Sequence, residues 1–233
     1  MAGVAEHFLT VTAADSVAKL LANDSLVGVS TWADEVRNRD HPLHSRFAYA
    51  TPWHYVDIEL NEKSYDASLD CPDSNCVVAA INRSIVTLRS RDSTEEAKTI
   101  ALKFLVHFVG DMHQPFHCYD NHDHGGGSIL VDFFGDSDNL HHVWNEMIIE
   151  RGNITERELL RQLKGENRDR IAGSINIEQW ANESHAIAVD AARTVPKNHR
   201  LDARYMKKYA PIVKQRLCLA GIRLAKILNM IYG

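Results

Sequence analysis

Apolar side chains recur at helical spacing through most of the chain. In residues 2–22, Val4, Phe8, Leu9, Val17, Leu20 and Leu21 mark one helical face, with Thr10 to Thr12 as a point of interruption. Residues 26–38 read as a second helix, and 77–90 and 94–114 as two more. Asp92, Ser93 and Thr94 offer a cap for the last of these, and Glu95 and Glu96 suit its first turn. Pro115 has no N–H to donate and should stop that helix near Gln114. Helical spacing returns at 139–145, 155–164, 176–194 and 201–232, with a break expected at Pro211. In the final segment Arg216, Arg223 and Lys226 sit among Leu217, Leu219, Ile222, Leu224 and Leu228. That pattern reads as a core-packed helix with a solvated face.

Two stretches break the pattern. Residues 40–75 carry Pro42, Pro52 and Pro72 and read as a long ordered excursion, with an extended aromatic run over 53–57. Residues 118–139 are loop-like. Asp123-His124-Gly125-Gly126-Gly127 must turn tightly, and Ile129, Val131 and Phe133 alternate with their neighbours, which allows at most a short β-hairpin near 128–135. There is no repeat, low-complexity segment or interdomain linker. The expected fold is all-α, one mainly helical domain over 1–233.

Composition narrows the chemistry. The 233 residues are 45% hydrophobic and carry a net charge of −5, so no broad basic surface is available to grip long nucleic acid. Positive charge for any phosphate chemistry must be local, and a bound divalent metal would supply it. No apolar run has the length of a membrane span, no protein partner is evident, and the opening residues lack the pattern of a secretory signal. Cys71 and Cys76 flank a Pro-Asp-Ser-Asn turn that suits a short disulfide loop, while sequons at Asn23, Asn82, Asn153 and Asn182 also point to secretion as a glycoprotein.

The chemistry concentrates at Phe104 to His117. His107 and Asp111 are four apart, which stacks them on one helical face, and His117 follows the proline break. Ionisable groups inside an apolar run cost several kcal/mol if left unpartnered. Two imidazoles and a carboxylate suit zinc. Asp34 and Arg37 are one turn apart, a spacing that taken alone reads as a surface ion pair. His54 lies between Trp53 and Tyr55, and His141 and Asn145 are again four apart.

Taken in order, these stretches resemble the single-strand-specific zinc nucleases of fungi and plants, also called nuclease–3′-nucleotidases, which are related to bacterial zinc phospholipase C. The matching motifs are Trp-Ala-Asp-x-x-Arg at 32–37, Trp-His-Tyr-Val-Asp at 53–57 and His-Phe-Val-Gly-Asp-Met-His-Gln-Pro-Phe-His at 107–117. Asn-Leu-His-x-x-Trp at 139–144 and Ala-Gly-x-Arg-Leu-Ala at 220–225 complete the set. The resemblance implies a mainly helical fold with three zinc ions at the bottom of a cleft. Asp34, His54, His107 and Asp111 would hold the first zinc, and His117, His141 and the residue at 145 the second. Asp111 would also bridge to a third. Asp34, Arg37 and Asp111 would be the catalytic group, with Arg37 on the phosphate. Tyr55 would stack on a base and Asp57 bond its edge. His113 would take a packing or supporting role, and Cys71 would pair with Cys76. The implied substrates are single-stranded RNA and DNA, cut to 5′-phosphorylated products, and 3′-nucleotides.

The chain also departs from that pattern. It opens after the family's amino-terminal tryptophan and histidine ligands, so the expectation is a missing extreme N-terminus, one or two zinc ions rather than three, and weakened activity. Asn145 stands where the family has aspartate, keeping an oxygen donor but losing its charge. Gly127 stands where the family usually has asparagine. The missing ligands and Asn145 keep a metal-binding non-enzyme open as an alternative, and the shared fold and metals keep open a zinc phospholipase C. Pairing of Cys118 with Cys218 is also left open.

Overall fold

A 19-residue helix, Glu95–His113, runs through the centre of the protein. The hydroxyl of Thr94 accepts from the Ala97 amide at its start, and Glu95 and Glu96 lie in the first turn, as the sequence requires. Its second half is apolar on nearly every side: Leu102, Leu105, Val106, Phe108, Val109 and Met112 have no exposed surface. Such a helix needs neighbours all round. They are Val77–Arg89, Ile177–Arg193 and the 30-residue helix Ala203–Tyr232, with Ala2–His7 packed against the last of these. The computed structural model describes residues 1–22, 24–166 and 172–233. Among them no helix is long and apolar enough to cross a membrane. The sequon residue Asn23 lies outside the described residues.

Several elements differ from the sequence expectation, each for a local reason. The first helix divides into Ala2–His7 and Val11–Leu20, because Thr10 turns extended and caps the Ala13 amide with its hydroxyl. The second covers only Trp32–Arg37. Before it, Ser25 accepts from the Gly28 amide and Glu6 from the Leu26 amide, so side chains compete for the backbone donors a helix would use. His54 ends a 3₁₀ segment, Ala48–His54, and extended backbone begins only at Tyr55. The expected break at Pro211 does not occur. Tyr209 and Val213 are buried on either side of it, and their burial offsets the roughly 3 kcal/mol that an interior proline costs.

A small sheet covers one end. β1 (Leu130–Phe133) and β2 (Asp136–Asn139) form the hairpin, shifted a little later than expected. Phe134 and Gly135 both have positive φ, the geometry of a two-residue primed turn. β3 (Arg200–Leu201) adds to β1 in parallel, giving the order β2-β1-β3. Trp144, Tyr205 and Tyr209 fill a second core beneath it. Cys71 and Cys76 form a disulfide. Cys118 and Cys218 do not pair: both are free and buried, the first against the carbonyl of Met112 and the second against that of Leu159.

Candidate active site

The central helix ends where Pro115 opens a 3₁₀ turn, Pro115–Cys118. His107 and Asp111 therefore leave the last two turns on one face, and His117 returns from the turn toward the same point. Extended residues 56–60 run beside 117–120, with the Val56 amide on the His117 carbonyl at 2.8 Å and the Leu60 amide on the Asp120 carbonyl at 2.9 Å. This pairing brings His54 over the helix end.

Asp111 Oδ2 lies 3.0 Å from His54 Nδ1 and 3.2 Å from His107 Nε2, and those two nitrogens are 3.2 Å apart. Asp34 closes the group at 3.6 Å from each nitrogen. Asp34, His54 and His107 offer donor atoms within 4.8 Å of one another. The other oxygen of Asp111 faces His117 Nδ1 at 3.7 Å. The family model for the S1/P1 nucleases matches residues 1–233. The chain belongs to the S1/P1 nuclease family.

Its curated relatives agree along nearly the whole length. Endonuclease 4 of Arabidopsis thaliana is 32% identical over 263 aligned residues, covering 99% of this chain and 86% of the relative. Nuclease P1 of Penicillium citrinum is 28% identical over 267, covering 100% and 95%. Nuclease S1 of Aspergillus oryzae is 27% identical over 263, covering 99% and 88%. An S1/P1 nuclease is a metal-dependent hydrolase of phosphodiester bonds, and its substrate is nucleic acid.

Backbone carbonyls fix the imidazoles. His107 Nδ1 donates to the Ser30 carbonyl at 2.7 Å, His117 Nδ1 to that of His54 at 2.7 Å, and His141 Nδ1 to that of Gly125 at 2.8 Å. In the neutral form of each ring this leaves the lone pair on Nε2, the arrangement by which ligating histidines are oriented. Gly125 has φ +61°, and a Cβ there would lie 2.6 Å from the Phe116 carbonyl, so the glycine turn is what lets the backbone reach His141. The rings of His117 and His141 sit 4.8 Å apart.

The charge balance also fits a divalent cation. Burial disfavours ionised Asp111, yet His107 and His117 hold its carboxyl well below the usual range. Burial likewise opposes the His107 cation, but Asp111 and Asp34 outweigh it and push its pKa up to about 9. His54 is lowered by burial despite Asp111. His141 falls to about 4, through burial and then His117. Without metal the cluster draws a proton onto His107; a metal with nitrogen and oxygen preferences would take its place.

The cluster lies in a cavity of about 540 Å³ that Arg37, Tyr55, Asp57, Gln114 and Asn145 also line. Arg37 pairs with Asp34 at 2.9 Å, both half-exposed, so the pair read in the sequence as a surface ion pair is also part of the rim. Tyr55 is 38% exposed. Burial, then Asp120, raises Asp57 to about 6. Asp34, Arg37, His54, Tyr55, Asp57, Asp111, His117, His141 and Asn145 line this one cavity, whereas His107 meets the cluster without lining it; Asn145 reaches it differently from the rest. It lies in a π turn, Val143–Met147, and its Oδ1 accepts from Gln114 Nε2 at 2.6 Å. No spacing or motif in the sequence signals this Gln114 contact. Arg216 and Arg223, which the amphipathic pattern assigns to a solvated face, are only 4% exposed.

Proposed function

We propose that this protein is a zinc-dependent endonuclease of single-stranded RNA and DNA that leaves 5′-phosphorylated ends and also removes phosphate from 3′-nucleotides. The observation that carries this reading is the knot of Asp34, His54, His107 and Asp111 beside a cavity that Arg37, Tyr55 and Asp57 also line. Two imidazoles and two carboxylates are a zinc donor set. Asp34, His54, His107 and Asp111 would hold one zinc, and His117, His141 and Asn145 a second, weaker one. Zinc supplies a water acidified toward neutral pH and positive charge for the departing 3′ oxygen.

The remaining work belongs to the chain. Asp34 orients the Arg37 guanidinium, whose free N–H groups meet the non-bridging phosphate oxygens as charge builds there. Tyr55 stacks on the neighbouring base, which must be unpaired to reach it. Asp57 accepts from a base amino group when ionised. Secretion follows from the Cys71–Cys76 disulfide and from Asn153, which is exposed together with Thr155; Asn82 is also exposed, but the Ser84 of its sequon is buried. Asn182 is half-buried, with its side-chain oxygen on the Tyr65 amide.

The test is a metal-stripped protein reloaded with zinc and assayed on single-stranded RNA, single-stranded DNA, duplex and phosphatidylcholine. Single strands should be cut much faster than duplex, and Tyr55→Ala should weaken single-strand binding by about 1–3 kcal/mol with zinc content unchanged. Equal rates on duplex and single strands remove the stacking role. Preferential lipid cleavage favours the phospholipase reading, and no hydrolysis with zinc bound favours the non-enzyme.

A further inference from the structure

The last four carbonyls of a helix have no donor within it, and a buried helix end must find donors elsewhere. At the central helix the account closes completely. The Gln114 amide serves the Gly110 and Asp111 carbonyls at 3.2 and 2.9 Å. The Ser184 hydroxyl donates to Met112 O at 2.5 Å, and Arg216 Nε to His113 O at 3.3 Å. Ser184 and Arg216 come from the helices Ile177–Arg193 and Ala203–Tyr232, and both are buried, at 0% and 4% exposure. They are also joined: Arg216 Nη2 donates to the Ser184 hydroxyl at 2.6 Å. One residue on, His185 Nδ1 lies 3.0 Å from the carbonyl of Cys118.

These bonds bracket one short piece of chain. Asp111 stands before Met112, and His117 stands before Cys118. The backbone between the two candidate ligands is therefore pinned on both sides by Ser184 and His185. Glu183 completes the frame from the same helix. Its carboxylate takes Arg216 Nη1 at 2.9 Å and both terminal nitrogens of Arg223 at 2.7 and 2.8 Å. Arg223 in turn donates to His113 Nε2 at 2.9 Å, and His113 Nδ1 donates back to Val109 O at 2.7 Å. Two buried arginines with one carboxylate are a costly way to end a helix if stability is the sole aim, since apolar replacements often serve as well. A frame that sets direction has a reason to keep them.

We propose that Ser184 and Arg216, braced by Glu183, are positioning residues that aim Asp111 and His117 at the metal. Neither is a candidate ligand: Ser184 has no exposed surface, and Arg216, though it lines the cavity, has its guanidinium bonded to His113 O, Ser184 and Glu183, so both act through the carbonyls of Met112 and His113. This rests on the metal-site reading above. Loss of the Ser184 hydroxyl frees the last turn of the helix to rotate, which spoils the donor geometry while the fold remains.

The experiment compares the full chain with Ser184→Ala, Arg216→Lys and a control, Tyr209→Phe. The control loses a buried hydroxyl bonded to Asp190 at 2.9 Å in the second core. Each protein is titrated with zinc against a chelator, loaded with cobalt(II) for its visible spectrum, and melted without metal. Ser184→Ala should bind zinc about tenfold more weakly and show shifted cobalt bands, and Arg216→Lys the same in lesser degree. Tyr209→Phe should melt earlier with affinity and spectrum unchanged. Parent-like affinity and spectrum in Ser184→Ala, with a lowered melting point alone, would overturn the proposal. Should Ser184→Ala not fold, Arg216→Lys decides by the same two readouts. A parent that binds neither zinc nor cobalt overturns the metal reading first, and this proposal with it.

Discussion

The two halves of the donor cluster are built to different standards. Around His107 two carboxylates and two imidazoles converge within 3.6 Å, on a helix end buried in the main core. Around His141 two imidazoles lie near the unused oxygen of Asp111, and the third group, Asn145, is neutral, exposed and already bonded to Gln114. The first half has negative charge to offset a cation and little freedom to lose. The second borrows its one negative charge from Asp111, and its third group is neutral and already engaged. Donor count alone would make them near-equals; charge and prior engagement separate them.

Asp111 is the group the halves share, so removing its charge should break the comparison altogether. Asp111→Asn should abolish tight zinc binding at both halves and lower hydrolysis of single-stranded RNA by more than about 100-fold. Metal counting beside the rate assay checks this. Survival of the second half alone would show that it does not depend on Asp111.

pH should separate the halves next. His107 holds a proton up to about pH 9 in the metal-free protein, whereas His141 loses its own near 4. A cation must displace the proton of His107, so affinity at the first half should rise about tenfold per pH unit from 6.5 toward 9 and then level. The second half should not share that slope. Chelator-buffered zinc titrations at three pH values read it directly. The same raised pKa has a converse effect on the empty protein. Its folded value exceeds the ordinary 6.5, so the stabilisation it gives is complete below pH 6.5 and is lost as pH rises through 9. Melting of the stripped protein should show a loss on the order of 3 kcal/mol across that window, and zinc should abolish it.

The smallest effect sharpens the contrast. Asn145→Asp restores a charge to the weaker half and gives Gln114 a better acceptor. Zinc affinity there should rise about tenfold, given by equilibrium dialysis, with the first half unchanged. No gain would show that the Gln114 contact, rather than the missing charge, limits that half.

Much of the first half could be read from the sequence because one helix carries it. Thr94, the glutamates and Pro115 mark its ends, and the spacing of His107 and Asp111 puts them on one face. The second half was harder. Its residues leave a turn and a π segment, where four-residue spacing no longer means one face, and the Gln114–Asn145 contact crosses between elements. Arg216 and Arg223 were misread for a related reason. Periodicity gives the angle of a side chain about its helix, not what packs there, and Glu183 on a distant helix turns a solvated face into a buried one. The shortened helix at Trp32–Arg37 and the unbroken one through Pro211 were lost to local hydrogen bonds and to burial, neither of which a spacing rule weighs.

Extended residues 56–60 lie beside 117–120, and that modest pairing ties the order of folding to the order of assembly. It joins stretches far apart in the chain, and Asp34 and His141 come from further still in either direction. Closing such loops is slow. The central helix can form early from local contacts, but the donors meet late, when nearly all the chain is in place. A cation that binds only the finished cluster then acts as a latch on the whole molecule: it leaves the early steps untouched and slows the return.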